Sequence, residues 1–516
     1  MFKNLNKDLP ASIVVFFVAL PLCLGIALAS GAPLFSGLIA GIVGGIVVGA
    51  MSGSSVGVSG PAAGLAAIVL AAIVSLGSYQ DFLLAVVLAG AIQILFGVLK
   101  AGIIGYYFPS SVIKGMLTGI GIIIILKQIP HFFGYDGNLG DIYSLEGFWN
   151  AFENISPGAT IIAIIGLGIL VLWDSVLTKK NKIFRLIQGP LVAVVLGIVF
   201  YLVTRDSTLA IDEKFLVNVP VPDSLDSFIG QFTFPSFSMI GSAEIWITAF
   251  TIALVASLET LLCVEATDKL DPHKRTTPTN RELFAQGTGN LISGFIGGLP
   301  ITQVIVRSSA NIQSGGQTKM SAIIHGFLLL ISVIVIPTVL NFIPLSVLAA
   351  VLFLVGYKLA KPQLFVQMFK AGWKQYAPFF ITVLGIVFGD LLVGIGLGLL
   401  VGIVIILIKS YQNSHFLHME KQDNGNKIVK MTLAEEVTFI NKGAIIRELN
   451  KLEKDSLLVM DVTKSRYLDS DIIEILDDFR IKAAENNISI KIISERGVVE
   501  NPESYKEFFA LEKKPA

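Results

Sequence analysis

From Leu9 to Gln80 the chain carries no Asp, Glu, Lys or Arg. A soluble helix or strand returns to the surface every few residues and needs polar side chains there. Uncharged apolar runs of this length are instead the mark of membrane-crossing helices. The pattern persists: between Leu283 and Gly356 the only residues of those four types are Arg307 and Lys319. Of 516 residues 53% are hydrophobic and 15% charged, against about 25% charged in soluble domains. A polytopic α-helical membrane protein fits. The start (MFKNLNKDLP, then an apolar run) has the look of a signal peptide. The run continues into a second apolar segment without a cleavage site, so it is read as the first spanning helix.

Fourteen apolar segments are predicted, near 12–30, 33–51, 61–77, 81–100, 109–128, 158–176, 187–204, 243–264, 283–298, 303–315, 319–337, 344–360, 376–390 and 391–408. With the N-terminus inside, the Lys- and Arg-bearing loops 177–186, 266–281 and 358–375 share the cytoplasmic side. The loop 129–157, which has no Lys or Arg, falls outside. This is the positive-inside pattern, and it puts both chain ends in the cytoplasm. The chain also looks doubled. SVGVSGPAAG (55–64) leads into the third segment and GGLPITQ (297–303) into the tenth; FPSSVIKG opens the fifth and IPLSVLAA the twelfth. Halves of seven crossings are inverted relative to each other, and paired interrupted segments in inverted halves point to a midplane binding site.

Gly297–Gly316 reads GGLPITQVIVRSSANIQSGG. A helix is predicted to begin near Thr302–Val304, with Arg307 in or just after its first turn. Gly60-Pro61-Ala62-Ala63-Gly64 opens the third segment, with Pro61 expected in a first helical turn. Two such helix starts would offer free N–H groups and positive dipole ends to a small anion. Arg307 either draws that anion or forms an internal ion pair. Glu259, in the eighth segment, either holds a Na⁺ or H⁺, partners Arg307, or is a neutral carboxyl bonded to backbone. Cys263 shares its face and Thr260 is adjacent. His325 is read as a packing histidine, and Asp390 as a turn cap at the outer surface. Cys23 and Cys263, both in apolar stretches, suggest no disulfide framework. There is no metal spacing of Cys and His, no P-loop and no nucleophile–base pair, which disfavours an ATP-driven pump or membrane hydrolase. Zero net charge suggests no nucleic-acid partner.

After Ile408 the composition changes. A polar linker (409–427) precedes strand candidates Ile428–Leu433, Val437–Ile440, Leu457–Val462 and Ile488–Ile493, and helices at Lys442–Leu452, Ser470–Asn486 and Pro502–Leu511. This is a small α/β domain over 428–516.

The runs VALPLCLGIALASGAPLFSGLIAGIVGGIVVGAMSGSSVGVSGPAAG, ASLETLLCVEATD and GGLPITQVIVRSSANIQSGGQTK resemble the SulP (SLC26-type) inorganic anion transporters, and LLVMDVTKSRYLDSDIIEIL resembles a STAS domain. The resemblance implies a seven-plus-seven inverted repeat over 1–408, with two half-helices (segments three and ten). Segments one to four and eight to eleven would form a core, and the other six a gate. Substrate would sit at Ala62, Ala63, Gly64, Thr302, Gln303, Val304 and Arg307. Glu259 matches an acidic residue that helps hold Na⁺ in cation-coupled bicarbonate members. Cys263 stands where such members have a hydroxyl, which weakens a Na⁺ site of that form at Glu259, Cys263 and Thr302. Pro21 is followed by Leu22 where many members have Gln, with Cys23 nearby. The serine that some STAS relatives phosphorylate is replaced by Asp471, which implies a structural, dimer-forming or partner-binding domain.

The expected function is secondary active transport of a small inorganic anion, bicarbonate or sulfate first, coupled to Na⁺ or H⁺, with no other cofactor. The expected setting is a homodimer in the lipid bilayer of a bacterial inner membrane, with a cytoplasmic protein as a further partner of the STAS domain. The alternatives are an uncoupled exchanger or channel, a dicarboxylate or nucleobase permease of the same architecture, and a membrane-anchored signalling scaffold.

Overall fold

The computed structural model describes residues 4–103, 109–135, 155–180, 184, 188–222, 225–389, 391–421, 427–495 and 497–506. Asp390, most of the loop 129–157 and the end of the segment 502–511 lie outside them. A helix lies on every apolar run predicted above. In chain order these are α1 (Leu5–Ala29), α2 (Leu34–Met51), α3 (Ala63–Leu76), α4 (Tyr79–Val98), α5 (Ser110–Phe133), α6 (Pro157–Leu177) and α7 (Gly189–Thr204). They continue as α8 (Ala243–Leu270), α9 (Thr279–Phe295), α10 (Ile305–Gln313), α11 (Met320–Val335), α12 (Leu345–Leu359), α13 (Trp373–Phe388) and α14 (Leu391–Gln412). Among the described residues eight helices are long and apolar enough to cross a membrane, counting α12 with the short helix Pro362–Lys370 as one; α3, α7 and α11 are shorter apolar helices. Local signals set several starts. The hydroxyls of Ser78, Ser156 and Ser242 accept N–H groups from the first turns of α4, α6 and α8, relieving donors that would otherwise be orphaned.

The helices pack in two groups. In one, α9 lies against α4 with α8 beside it, while α11 packs on α1 and α2, and α10 on α1 and α8. In the other, α5 packs on α12 and α13, and α6 on α12 and α7. The groups meet along α1 and α12. The α4–α9 contact is backbone on backbone. A Cβ at Gly90 would stand 2.5 Å from the Leu291 nitrogen, and one at Gly287 2.6 Å from the Ile94 nitrogen. Glycine on both sides lets the helices approach this closely. Within the first group, the Asp8 carboxylate accepts the N–H groups of Gln317 (2.7 Å) and Thr318 (3.0 Å), and the Thr318 hydroxyl. That ties the start of α1 to the turn before α11.

Residues 399–516 form a second compact unit. Its sheet has the order β3 (His415–Lys421), β4 (Lys427–Leu433), β6 (Leu457–Asp461), β8 (Ser489–Ser494), β9 (Gly497–Glu500). The three middle strands are parallel and both edges antiparallel. The short strands β5 (Glu436–Val437) and β7 (Tyr467–Leu468) pair separately. Helices α15 (Lys442–Leu449) and α16 (Ser470–Glu485) contribute Ile445, Leu449, Ile472, Leu476 and Phe479 to a core with Met431, Leu458, Met460 and Ile492. Two expectations change. The stretch read as linker begins inside α14 and then forms the edge strand β3; and the strand expected to reach Ile440 ends at Val437. The Asp469 carboxylate caps α16 by accepting the Asp471 N–H (3.2 Å), and Asp471 itself pairs with Lys442 (3.6 Å).

Acid sensitivity follows from one side chain of this unit. Lys451 donates to both oxygens of Glu448 (2.9 and 3.0 Å) and, against the cost of burial, holds that carboxyl below its ordinary value, with Arg447 adding to the effect. A depressed folded value adds stability that is fully present above the unfolded carboxyl pKa of about 4.3 and is lost as pH falls below that and through the lower folded value. Glu448→Gln is expected to flatten the acid limb of this unit's unfolding below about pH 4.3, measured by hydrogen exchange in α15. An unchanged acid limb would exclude Glu448 as its source.

Candidate functional site

Two three-residue strands, β1 (Ser59–Pro61) and β2 (Ile301–Gln303), pair antiparallel, with Ser59 opposite Gln303, Gly60 opposite Thr302 and Pro61 opposite Ile301. The Val304 N–H extends the ladder by donating to the Val58 carbonyl (2.9 Å). Each strand runs directly into a helix: β1 into the tight turn Ala63–Leu65 that opens α3, and β2 into α10. Antiparallel pairing therefore places the two helix starts at opposite ends of one small crossing. Sequence reasoning put Thr302 and Gln303 at a helix start and Pro61 in a first turn. All three are strand residues instead. A three-residue strand is too short to show alternation, and a proline at its end forfeits little pairing. Where β1 crosses α2, that helix widens into a π turn at Gly44–Val48, and a Cβ at Gly44 would meet the Ser59 carbonyl at 2.6 Å.

Helix α8 supplies side chains to both starts. Glu259 is buried and its carboxylate faces the Gly64 N–H. A Cβ at Gly64 would stand 2.5 Å from its Oε1, so only glycine lets α3 begin on this carboxylate. Oε2 has no protein partner. One turn on, the Cys263 sulfur faces the Ile305 N–H at the start of α10. Between them Thr260 accepts the Gln303 N–H (3.4 Å), and further along Thr267 accepts from the Gln303 side-chain amide (3.1 Å). Thr302 is buried, its hydroxyl turned to the Gln303 carbonyl (3.3 Å).

Arg307 is fully buried in the first turn of α10. Its Nη2 donates to the Cys23 sulfur of α1 (3.4 Å), while Nε and Nη1 have no protein partner. A Cβ at Gly60 would lie 2.1 Å from Nη1, so the guanidinium presses on the β1 backbone itself. His325 of α11 is buried within electrostatic reach of Arg307, and neither ring nitrogen has a protein partner; it packs, but is not satisfied. Arg307 and Glu259 do not pair. They lie against different glycines, Gly60 and Gly64. Ala62, Ala63, Gly64, Thr302, Gln303, Val304, Arg307, Glu259 and Cys263 thus gather around one crossing. Missing from the sequence reading were Gln93, Glu282, Gln286 and Asn290, which surround the strands. The four-residue spacing of the last three, which puts them on one helix face, was the available signal.

Helix N-termini and a guanidinium present a positive field, and a carboxylate with a free oxygen lies at its edge. Among the described residues no group of three His, Cys, Asp or Glu could hold a metal ion.

Residues 5–382 match the model of the sulfate permease family. The bicarbonate transporter BicA of Picosynechococcus is 28% identical over 93% of this chain and 88% of its own. The solved transmembrane domain of a cyanobacterium bicarbonate transporter BicA aligns with a TM-score of 0.65 at 27% identity, over 76% of this chain and 98% of that one. The inward-facing structure of murine Slc26a9, an anion transporter, aligns with a TM-score of 0.77 over 95% of this chain and 86% of that one; at 16% identity this is likeness of fold.

Proposed function

This chain belongs to the sulfate permease family, as a membrane transporter and not an enzyme, and from that premise we propose that it is a secondary active transporter of bicarbonate or sulfate. The observation that carries the reading is the β1·β2 crossing, with a helix start at each end and an enclosed arginine that has two unpartnered donors. Substrate is bound between the starts of α3 and α10, beside Ala62–Gly64 and Thr302–Ile305, by the positive ends of the two helices and the field of Arg307. Glu259, with one oxygen free, takes the coupling Na⁺ or H⁺. The group containing α1–α4 and α8–α11 is the moving core and the other group the gate. Fourteen crossings, cytoplasmic ends, a bacterial inner membrane, a homodimer and a STAS identity for the C-terminal unit complete the proposal.

Uptake of labelled bicarbonate and sulfate by proteoliposomes, with and without Na⁺ and pH gradients, tests it. Saturable uptake of one anion driven by one gradient is expected. Glu259→Gln is expected to remove the dependence on that gradient while downhill anion exchange continues. A specific observation favours the uncoupled reading: the Glu259 carboxylate already faces the Gly64 N–H, so it can serve α3 alone. Gradient-independent uptake in the unmutated protein would select that reading, and no saturable anion flux of any kind would reject both.

A further inference from the structure

Helix α9 buries three polar side chains, Glu282, Gln286 and Asn290, each with no exposed surface. Spaced by four residues, they stand on one face. Buried polar groups are costly without partners, and each of these finds one on a different stretch leading to the crossing. Glu282 Oε2 accepts the Ser52 hydroxyl (2.6 Å) and the Gly53 N–H (3.2 Å), in the turn between α2 and β1. The Gln286 amide donates to the Ser59 hydroxyl of β1 (2.7 Å) and to Glu282 Oε1 (2.9 Å). Asn290 takes both backbone groups of Ile301: its Oδ1 accepts the N–H and its Nδ2 donates to the carbonyl (3.1 Å). A neighbouring strand would use the same pair of bonds. Asn290 also donates to Gln93 of α4, which donates to Ser257 of α8 (3.2 Å), on the turn that holds Glu259.

A pair of three-residue strands cannot hold its own geometry, since even longer isolated hairpins are marginal. The α9 face supplies what the pair lacks, a third set of strand-like contacts on a rigid support, with α9 itself locked to α4 through Gly90 and Gly287. We infer that Glu282, Gln286 and Asn290 are positioning residues of the anion site: they fix β1 and β2, and through them the separation of the two helix starts. The inference rests on the anion-site reading for its consequence, but not for its geometry.

The test uses purified full-length protein carrying Asn290→Ala, Gln286→Leu or the milder Ser59→Ala, with two readouts. In hydrogen exchange, amides in 55–66 and 299–308 are expected to exchange about tenfold faster, the worth of one buried hydrogen bond, with α5 and α12 unchanged. In proteoliposome uptake of bicarbonate and sulfate, the half-saturating concentration is expected to rise about tenfold, with a smaller change in maximal rate per folded carrier. Glu282→Gln is expected to recover most of what Glu282→Ala loses. Gln keeps an acceptor for Ser52, and Gln286 can turn its unpartnered Oε1 to the new amide. Unchanged exchange at the two segments, exchange raised evenly over the bundle, or a lowered melting temperature at constant half-saturation would each overturn the inference. Local loosening in a protein that moves no anion even unmutated would uphold the positioning and reject the transport reading instead.

Discussion

Arg307→Met is expected to weaken anion uptake severely while leaving the protein as stable as before or more so. The guanidinium is fully enclosed, with the weak Cys23 sulfur acceptor as its partner among the described residues and two donors unused. A buried charge without a counter-charge is a liability to the fold, and an apolar replacement of similar length removes it. What is lost is the field at the start of α10. A hydrogen bond to a charged group is worth about 1.5–3 kcal/mol, so anion binding should weaken by roughly 10- to 150-fold. Arg307→Lys keeps the charge but not the fork and should fall between. The opposite signs make the test sharp. A fall in melting temperature with uptake intact would make Arg307 a packing residue, and uptake within about threefold of normal, below the roughly 1 kcal/mol of a typical hydrogen bond, would remove it from the site.

Gly64→Ala is expected to damage both coupling and stability, and a second substitution should relieve the stability loss. The added methyl would stand 2.5 Å from Oε1 and 2.6 Å from Oε2 of Glu259. Either the carboxylate leaves its place or the start of α3 does, at a cost of about 1–3 kcal/mol typical of overpacking. Gradient-driven uptake should fall as it does in Glu259→Gln. Combining Gly64→Ala with Glu259→Ala removes the collision, so the double variant should be more stable than Gly64→Ala alone, by a coupling of about 0.5–3 kcal/mol. Thermal unfolding of the four proteins measures this directly. Strict additivity would mean that Gly64 is required for some reason other than the carboxylate against it.

Much of the architecture was legible because membrane helices write themselves in long charge-free runs, and all the predicted runs carry a helix. The breaks at Gly60–Gly64 and Gly297–Gln303 were legible too, since glycine and proline interrupt helices for steric reasons that need no tertiary context. The strand pairing inside those breaks was not. Ser59–Pro61 and Ile301–Gln303 are too short for a period, and they pair with a partner far away in the chain. Whether Arg307 meets Glu259 depends on how α8 and α10 are turned about their axes, which composition does not encode. The polar face of α9 was visible as letters, but its meaning lay in partners such as Ser59 and Ile301, supplied by other segments. In the C-terminal unit β3 was missed because an edge strand with one solvated face reads like a linker.

Helix α10 has nine residues. At 1.5 Å per residue it rises about 14 Å, roughly half the ~30 Å hydrocarbon layer. A charge resting at its first turn in a membrane has therefore crossed only a fraction of the voltage between the two faces. For a monovalent anion at the proposed site the whole drop is worth about 2.3 kcal/mol per 100 mV, and the short helix would divide that quantity into two parts on either side of the crossing. Membrane potential would thus act on arrival and departure as separate events, each with its own electrical distance.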